Sequence, residues 1–168
     1  GKIILINEDS GEYLYTKGTP TSADYIFYKV RDGKSESELK LVTFSHSSTL
    51  SRSEIFAEQP IAVSDSVIIV EDIPTIITFV GADVSTEFTV DESSSNIFIV
   101  DEPKNGNLGT LGAPVLDSSG QLVRWSRTYT PNDNFSGIDS IGFTYTNSNN
   151  LIYSGPSETA YLYITVNA

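Results

Sequence analysis

Apolar and polar residues alternate along most of this chain with a period of two. The clearest instance is Tyr129 to Tyr145, YTPNDNFSGIDSIGFTY. Ile141, Phe143 and Tyr145 alternate there with Ser140, Gly142 and Thr144, the pattern of a half-buried strand. Pro131 lacks a backbone N–H, so ladder pairing is expected to end at it. Asn132, Asp133, Asn134 and Gly137 suit the tight angles of a loop. The same reading predicts strands at 2–7, 12–17, 24–31, 38–44, 65–70, 75–80, 87–90, 96–101, 122–130 and 159–166, with 60–63 leading into the fifth. Residues 2–7 and 12–17 form a hairpin with a four-residue loop in this reading, and 2–7 is apolar on both faces. Val123, Trp125 and Tyr129 share one parity, which marks Trp125 as a core anchor. Leu162, Ile164 and Val166 share another, which turns Tyr161 and Tyr163 outward.

Strand-forming Ile, Val, Thr, Tyr and Phe dominate, and no long window shows a helical period, so the class is all-β. A length of 168 residues suits one large or two small domains. An internal repeat decides how they divide. Gly1-Lys2-Ile3 aligns on Gly106-Asn107-Leu108, Tyr15-Thr16 on Tyr129-Thr130, and Asp24 to Tyr28 on Asp139 to Phe143. Ser35 to Phe44 aligns without gaps on Ser157 to Val166. The repeated unit thus ends twice. Residues 1–45 read as the C-terminal part of one copy, 46–58 as a polar linker, and 59–168 as a complete copy.

Three further stretches of the second copy fit a known pattern. They are Pro60-Ile61-Ala62 running through Asp65-Ser66-Val67 to Glu71-Asp72-Ile73-Pro74, the turn Pro103-Lys104-Asn105-Gly106-Asn107-Leu108, and the 129–145 segment. Together they resemble the cadherin-like and bacterial immunoglobulin-like tandem repeats of large surface and secreted proteins. One departure is Asn147-Ser148 where the pattern has Asp-Gly, which Asp32-Gly33 keeps in the first copy. The resemblance implies an antiparallel Greek-key β-sandwich in an extracellular or cell-surface location, acting as a spacer or protein-recognition segment. Its partners would be neighbouring repeats of the same parent chain, with a surface protein or a glycan as further candidates. Half a sandwich buries too little surface to stand alone. The first copy is therefore expected to be completed by another chain or by a fold-back. No signal peptide opens the chain, so an exported protein would be a piece of a longer precursor.

Charge narrows the partners. The formal net charge is −12, which repels nucleic acid and anionic membrane surfaces. No apolar run reaches the roughly 18 residues of a membrane span. Cysteine is absent, so there is neither a disulfide nor a thiolate metal site. The resemblance raises one metal, Ca²⁺, which takes carboxylate and carbonyl oxygens from loops. The candidates are Glu71, Asp72, Asp83 and Asp139 at strand ends, with Asp32 and Glu58 near the joint. Against them stands a structural reading, in which these carboxylates cap turns and Asp139 accepts bonds within the 131–137 loop. The sole histidine, His46, lies in the polar linker, and no nucleophile elbow, P-loop or zinc motif appears, so no enzyme is expected. The alternative function is a carbohydrate-binding module of a secreted multidomain protein, with Tyr153, Tyr161 and Tyr163 as the stacking surface. The competing role for those tyrosines is cross-strand packing. Asn134-Phe135-Ser136 is a glycosylation sequon set inside a structural loop, and is taken as coincidence.

Overall fold

The computed structural model describes residues 2–7, 12–16, 24–30, 37, 39–44, 59–83, 90–117, 120–149 and 155–168. The chain divides into two compact units, 1–57 and 58–168. Among the described residues every regular element is a β-strand. The strand expected at 87–90, Val90 apart, lies outside them.

The first unit holds β1 (Lys2–Asn7), β2 (Glu12–Thr16), β3 (Asp24–Tyr28) and β4 (Lys40–Phe44). β1 pairs with β2 and β3 with β4, both antiparallel. The second unit holds β5 (Ile61–Val63), β6 (Asp65–Val70), β7 (Thr75–Ala82), β8 (Ser95–Asp101), β9 (Gly106–Leu108), β10 (Val115–Leu116), β11 (Leu122–Pro131), β12 (Gly137–Asn147) and β13 (Ala160–Asn167). One sheet runs β10-β11-β7-β5, with β9 also on β11, and the other runs β6-β13-β12-β8.

The two sheets close on one apolar core because each strand turns alternate side chains inward. Ile77, Phe79, Val123, Trp125 and Tyr129 come from the first sheet. Ile97, Ile141, Phe143, Tyr145, Leu162, Ile164 and Val166 come from the second. Phe79 meets Phe143 edge-on at 5.0 Å, and Trp125 lies 5.7 Å from Tyr145. Side chains of this size, fully withdrawn from water, contribute on the order of 1.5–3 kcal/mol each.

Pairing adds detail that periodicity does not carry. Residues 61–70 are not one strand. β5 pairs antiparallel with β7, whereas β6 pairs with β13 in parallel, in the other sheet. The switch falls at Ser64, whose hydroxyl accepts the Tyr161 N–H at 3.0 Å. That is the one parallel pair among the described strands. Pro131 does end its strand, and its partner is Gly106. A side chain at Gly106 would meet the Tyr129 ring at 2.5 Å, so glycine is required there.

The first unit repeats part of this pairing. Ile3 opposes Tyr15 and Lys2 opposes Thr16, as Leu108 opposes Tyr129 and Asn107 opposes Thr130. β3 and β4 match β12 and β13 less closely. Asp24 opposes Phe44, whereas Asp139 opposes Ile164, which aligns on Val42. The register differs by two residues.

Candidate functional site

The second unit has two poles. At one, Asp83, just beyond β7, accepts a bond from the Asn147 side-chain amide at 3.0 Å, at the end of β12. At the other, the Glu71 N–H donates to the Asn167 carbonyl at 2.8 Å, and the Asn134 N–H donates to Asp72 at 2.8 Å. The chain enters at the first pole, where Ile61 opposes Ala82, and leaves at the second, where Val166 opposes Gly137.

The four carboxylates named for Ca²⁺ are therefore divided. Glu71 and Asp72 stand in the β6–β7 turn, and Asp83 stands at the far pole. Asp72 adopts φ 58° and Asn134 φ 56°, two left-handed residues joined by their hydrogen bond. Asp139 is buried under the β8–β9 turn. Its carboxylate accepts from Tyr129 Oη at 2.9 Å, Lys104 N at 3.0 Å, Asn105 N at 2.8 Å and Ser140 N at 2.9 Å. Its partners thus lie in that turn, on β11 and next to it on β12, outside the 131–137 loop. Burial, then the bond to Asp139, pushes the Tyr129 hydroxyl well above the ordinary phenol range. Among the described residues no three His, Cys, Asp or Glu gather where one ion could bind. Asp32, Glu58 and His46 lie outside the described residues.

A polar cluster at the entry pole escapes motif reading. Asp91 accepts from Ser93 Oγ and Ser94 N at 2.7 Å each and from the Asn149 amide at 2.6 Å. These bonds, the Ser93 one foremost, lower its carboxyl to about 2. Beside it Tyr145 Oη and Ser95 Oγ share a bond of 3.2 Å. Burial pushes the Tyr145 hydroxyl up to about 12, and the charges of Asp83 and Asp91 add to the rise. Every one of these groups has a partner inside the cluster, which ties the β7, β8 and β12 ends together.

The tyrosine surface is partly assembled. Tyr161 and Tyr163 stand on the outer face of β13, with ring centres 6.1 Å apart and planes 27° apart. Tyr161 Oη donates to Asp101 on β8 at 2.8 Å, reaching across β12. It can do so because residue 142 is glycine; a side chain there would stand 2.7 Å from the Asp101 carboxylate and 3.1 Å from the Tyr161 ring. That bond, foremost, raises the Tyr161 hydroxyl above its usual value. Tyr153 lies outside the described residues.

Around the tyrosines the outer face of this sheet is apolar. Ile68, Val70, Phe98, Val100 and Ile138 are each at least half exposed, and Tyr163 is 49% exposed. They stand opposite in parity to core residues Ile69, Ile97, Ile141 and Leu162. The other sheet is mixed, since β11 turns Ser126, Thr128 and Thr130 to water while Ile76 on β7 and Val115 on β10 are exposed singly. The signal was in the sequence: SVIIV and NIFIV are apolar at both parities, which an ordinary solvated face is not.

Two facing sheets joined by a strand that changes sheet define an immunoglobulin-like β-sandwich. The model of the bacterial Ig domain family matches residues 57–157, more than half of the chain. The chain belongs to that family, whose domains are non-catalytic modules usually found in extracellular or surface proteins. No curated protein matches the chain in sequence. Among solved structures it is similar to a variant of the endo-fucoidan hydrolase MfFcnA4, of glycoside hydrolase family 107, at 13% identity and a TM-score of 0.42. It is also similar to the endo-fucoidan hydrolase MfFcnA9 of that family, at 15% identity and a TM-score of 0.33. These alignments take in 99% and 98% of this chain but 22% and 25% of the hydrolases, so the chain spans a quarter or less of their length. At such scores the likeness carries no argument about activity.

Proposed function

We propose that the chain is a repeat segment of a large bacterial surface or secreted protein, serving as a spacer that also presents a recognition surface. The observation that carries this reading is the polarity of the second unit. Its chain enters beside Ala82 and leaves beside Gly137, at opposite ends of the sandwich. Copies joined in series therefore add length. With strands of 10 and 11 residues, each copy adds on the order of 35 Å. In this reading residues 1–45 are the C-terminal half of a preceding repeat and 46–58 the linker. The pairing of β1 with β2, which matches that of β9 with β11 at Lys2–Thr16 and Ile3–Tyr15, supports it.

The test is small-angle scattering on one, two and three copies of the full chain joined head to tail. The maximum dimension should rise by a constant increment of at least about 35 Å per copy. A maximum dimension that saturates after the second copy would refute the spacer. A second reading, carbohydrate binding, is favoured by the paired rings of Tyr161 and Tyr163 on an open face. A glycan-array signal lost in Tyr163→Ala would support it, and a blank array would remove it.

A further inference from the structure

The geometry points to the outer face of the β6-β13-β12-β8 sheet as a docking surface for a protein segment that is both apolar and basic. This rests on the recognition half of the function proposed above, and gives it a location and a partner chemistry.

The face is contiguous. Ile68, Thr165 and Ile138 stand at one level across β6, β13 and β12. Ser66, Tyr163 and Ser140 form the next level, and Tyr161 and Gly142 the one after, beside Asp101. Phe98 opposes Thr144 at the following level, and Val70 flanks Asn167 at the other end. Six large side chains, Ile68, Val70, Phe98, Val100, Ile138 and Tyr163, are about half in water or more. At about 150–200 Å² apiece, they present on the order of 500 Å². That is the upper part of the range for the largest patch on a monomer, and such patches mark interaction sites. It falls short of the roughly 800 Å² per side of a standard interface, so a partner must also engage the rim.

The rim selects the partner. The strands of this sheet contain no Lys or Arg. Of its acids Asp139 is buried and Asp65 stands at core parity opposite Leu162, so the acids at the border of the outer face are Asp101 and the following Glu102. Asp101 and Glu102 are exposed, and Asp101 is fixed by Tyr161. The next cation along the chain, Lys104, stands beyond β8 in the turn to β9. Arg124 and Arg127 belong to the other sheet. An apolar field with Asp101 and Glu102 at one border, on a chain of net charge −12, complements Lys or Arg alternating with apolar side chains. A second copy of the chain would bring acid against acid.

The test uses the full chain and three labelled synthetic peptides of equal length, alternating Lys-Leu, Lys-Ser and Glu-Leu. Binding is read by fluorescence anisotropy, and its site by amide chemical shifts. The Lys-Leu peptide should bind and shift residues of β6, β8, β12 and β13. Ile68→Ser with Phe98→Ser should weaken it at least about tenfold, while Trp125 emission, unchanged, shows that the fold is intact. Equal binding of Lys-Ser would reduce the effect to net charge and overturn the proposal. Equal binding of Glu-Leu, or shifts on the Ser126–Thr128–Thr130 face, would also overturn it. So would no binding at all, concentration-dependent self-association through this face, or a xylan or cellulose oligosaccharide that shifts these residues when Lys-Leu does not. None of these outcomes bears on the scattering increment, so failure here is distinguishable from failure of the spacer.

Discussion

Asp139 offers the sharpest test of the packing. Its side chain is 4% exposed and accepts four hydrogen bonds, from Tyr129 Oη, Lys104 N, Asn105 N and Ser140 N. Replacing it with alanine removes the acceptor and strands donors beneath the β8–β9 turn. A bond to a charged acceptor contributes about 1.5–3 kcal/mol, and a buried donor left unpaired costs about 1–3 kcal/mol. Water reaches some of the vacated sites, so Asp139→Ala should cost about 3–5 kcal/mol, a large share of the 5–15 kcal/mol typical of a domain. Tyr129→Phe removes one hydroxyl and leaves the turn amides paired, and should cost about 1.5–3 kcal/mol. With Asp139 gone the hydroxyl has no acceptor to lose. The double variant should therefore fall short of the sum by at least about 1 kcal/mol. The assay is urea unfolding followed by Trp125, the sole tryptophan, 2% exposed and 5.7 Å from Tyr145. Asp139→Ala within about 0.5 kcal/mol of the parent, or strict additivity, would show that this carboxylate does not hold the β8–β9 turn.

At high pH the buried phenols should govern stability. Tyr129 and Tyr145 are both raised, Tyr145 from 10.0 to about 12, so the unfolded chain loses these protons first. Their contribution is complete below pH 10 and lost as pH rises toward 12 and beyond. Absorbance at tyrosinate wavelengths should show two tyrosines ionising only together with loss of the folded circular dichroism; independent ionisation near pH 10 would contradict this. Gly142→Ala places a carbon 2.7 Å from Asp101 and should break the Tyr161 bond, lowering stability by about 1–2 kcal/mol in the same urea assay. Added Ca²⁺ should leave the melting temperature within about 1 °C, because Asp83 stands at the far pole, Asp139 is buried with four donors of its own, and no three described carboxylates gather where one ion could bind. A rise of several degrees would show that an ion site forms after all.

Much of the strand pattern was legible because it rests on local rules. Val123, Trp125 and Tyr129 face the core as their parity requires, and Pro131 ends its strand because it has no proton to give. The outward turn of Tyr161 and Tyr163 followed from Leu162, Ile164 and Val166 in the same way. Pairing was not legible, since nothing in residues 61–70 says that the chain changes sheet at Ser64 or that β6 lies parallel to β13. The roles of single carboxylates were hidden for the same reason. Asp139 meets Lys104 and Asn105 only because β11 and β12 fold beneath the β8–β9 turn, and Asp101 meets Tyr161 only across the bare backbone of Gly142. The apolar outer face was written openly in Ile68, Val70, Phe98 and Val100, yet an apolar run reads equally well as a strand buried on both sides.

A spacer requires a sandwich entered at one pole and left at the other. Because the chain has no cysteine, Gln59→Cys and Ala168→Cys can be spin-labelled without background. Pulsed dipolar spectroscopy should give a single distance band centred at about 35–40 Å. A band below about 20 Å would place both ends at one pole and contradict the spacer outright.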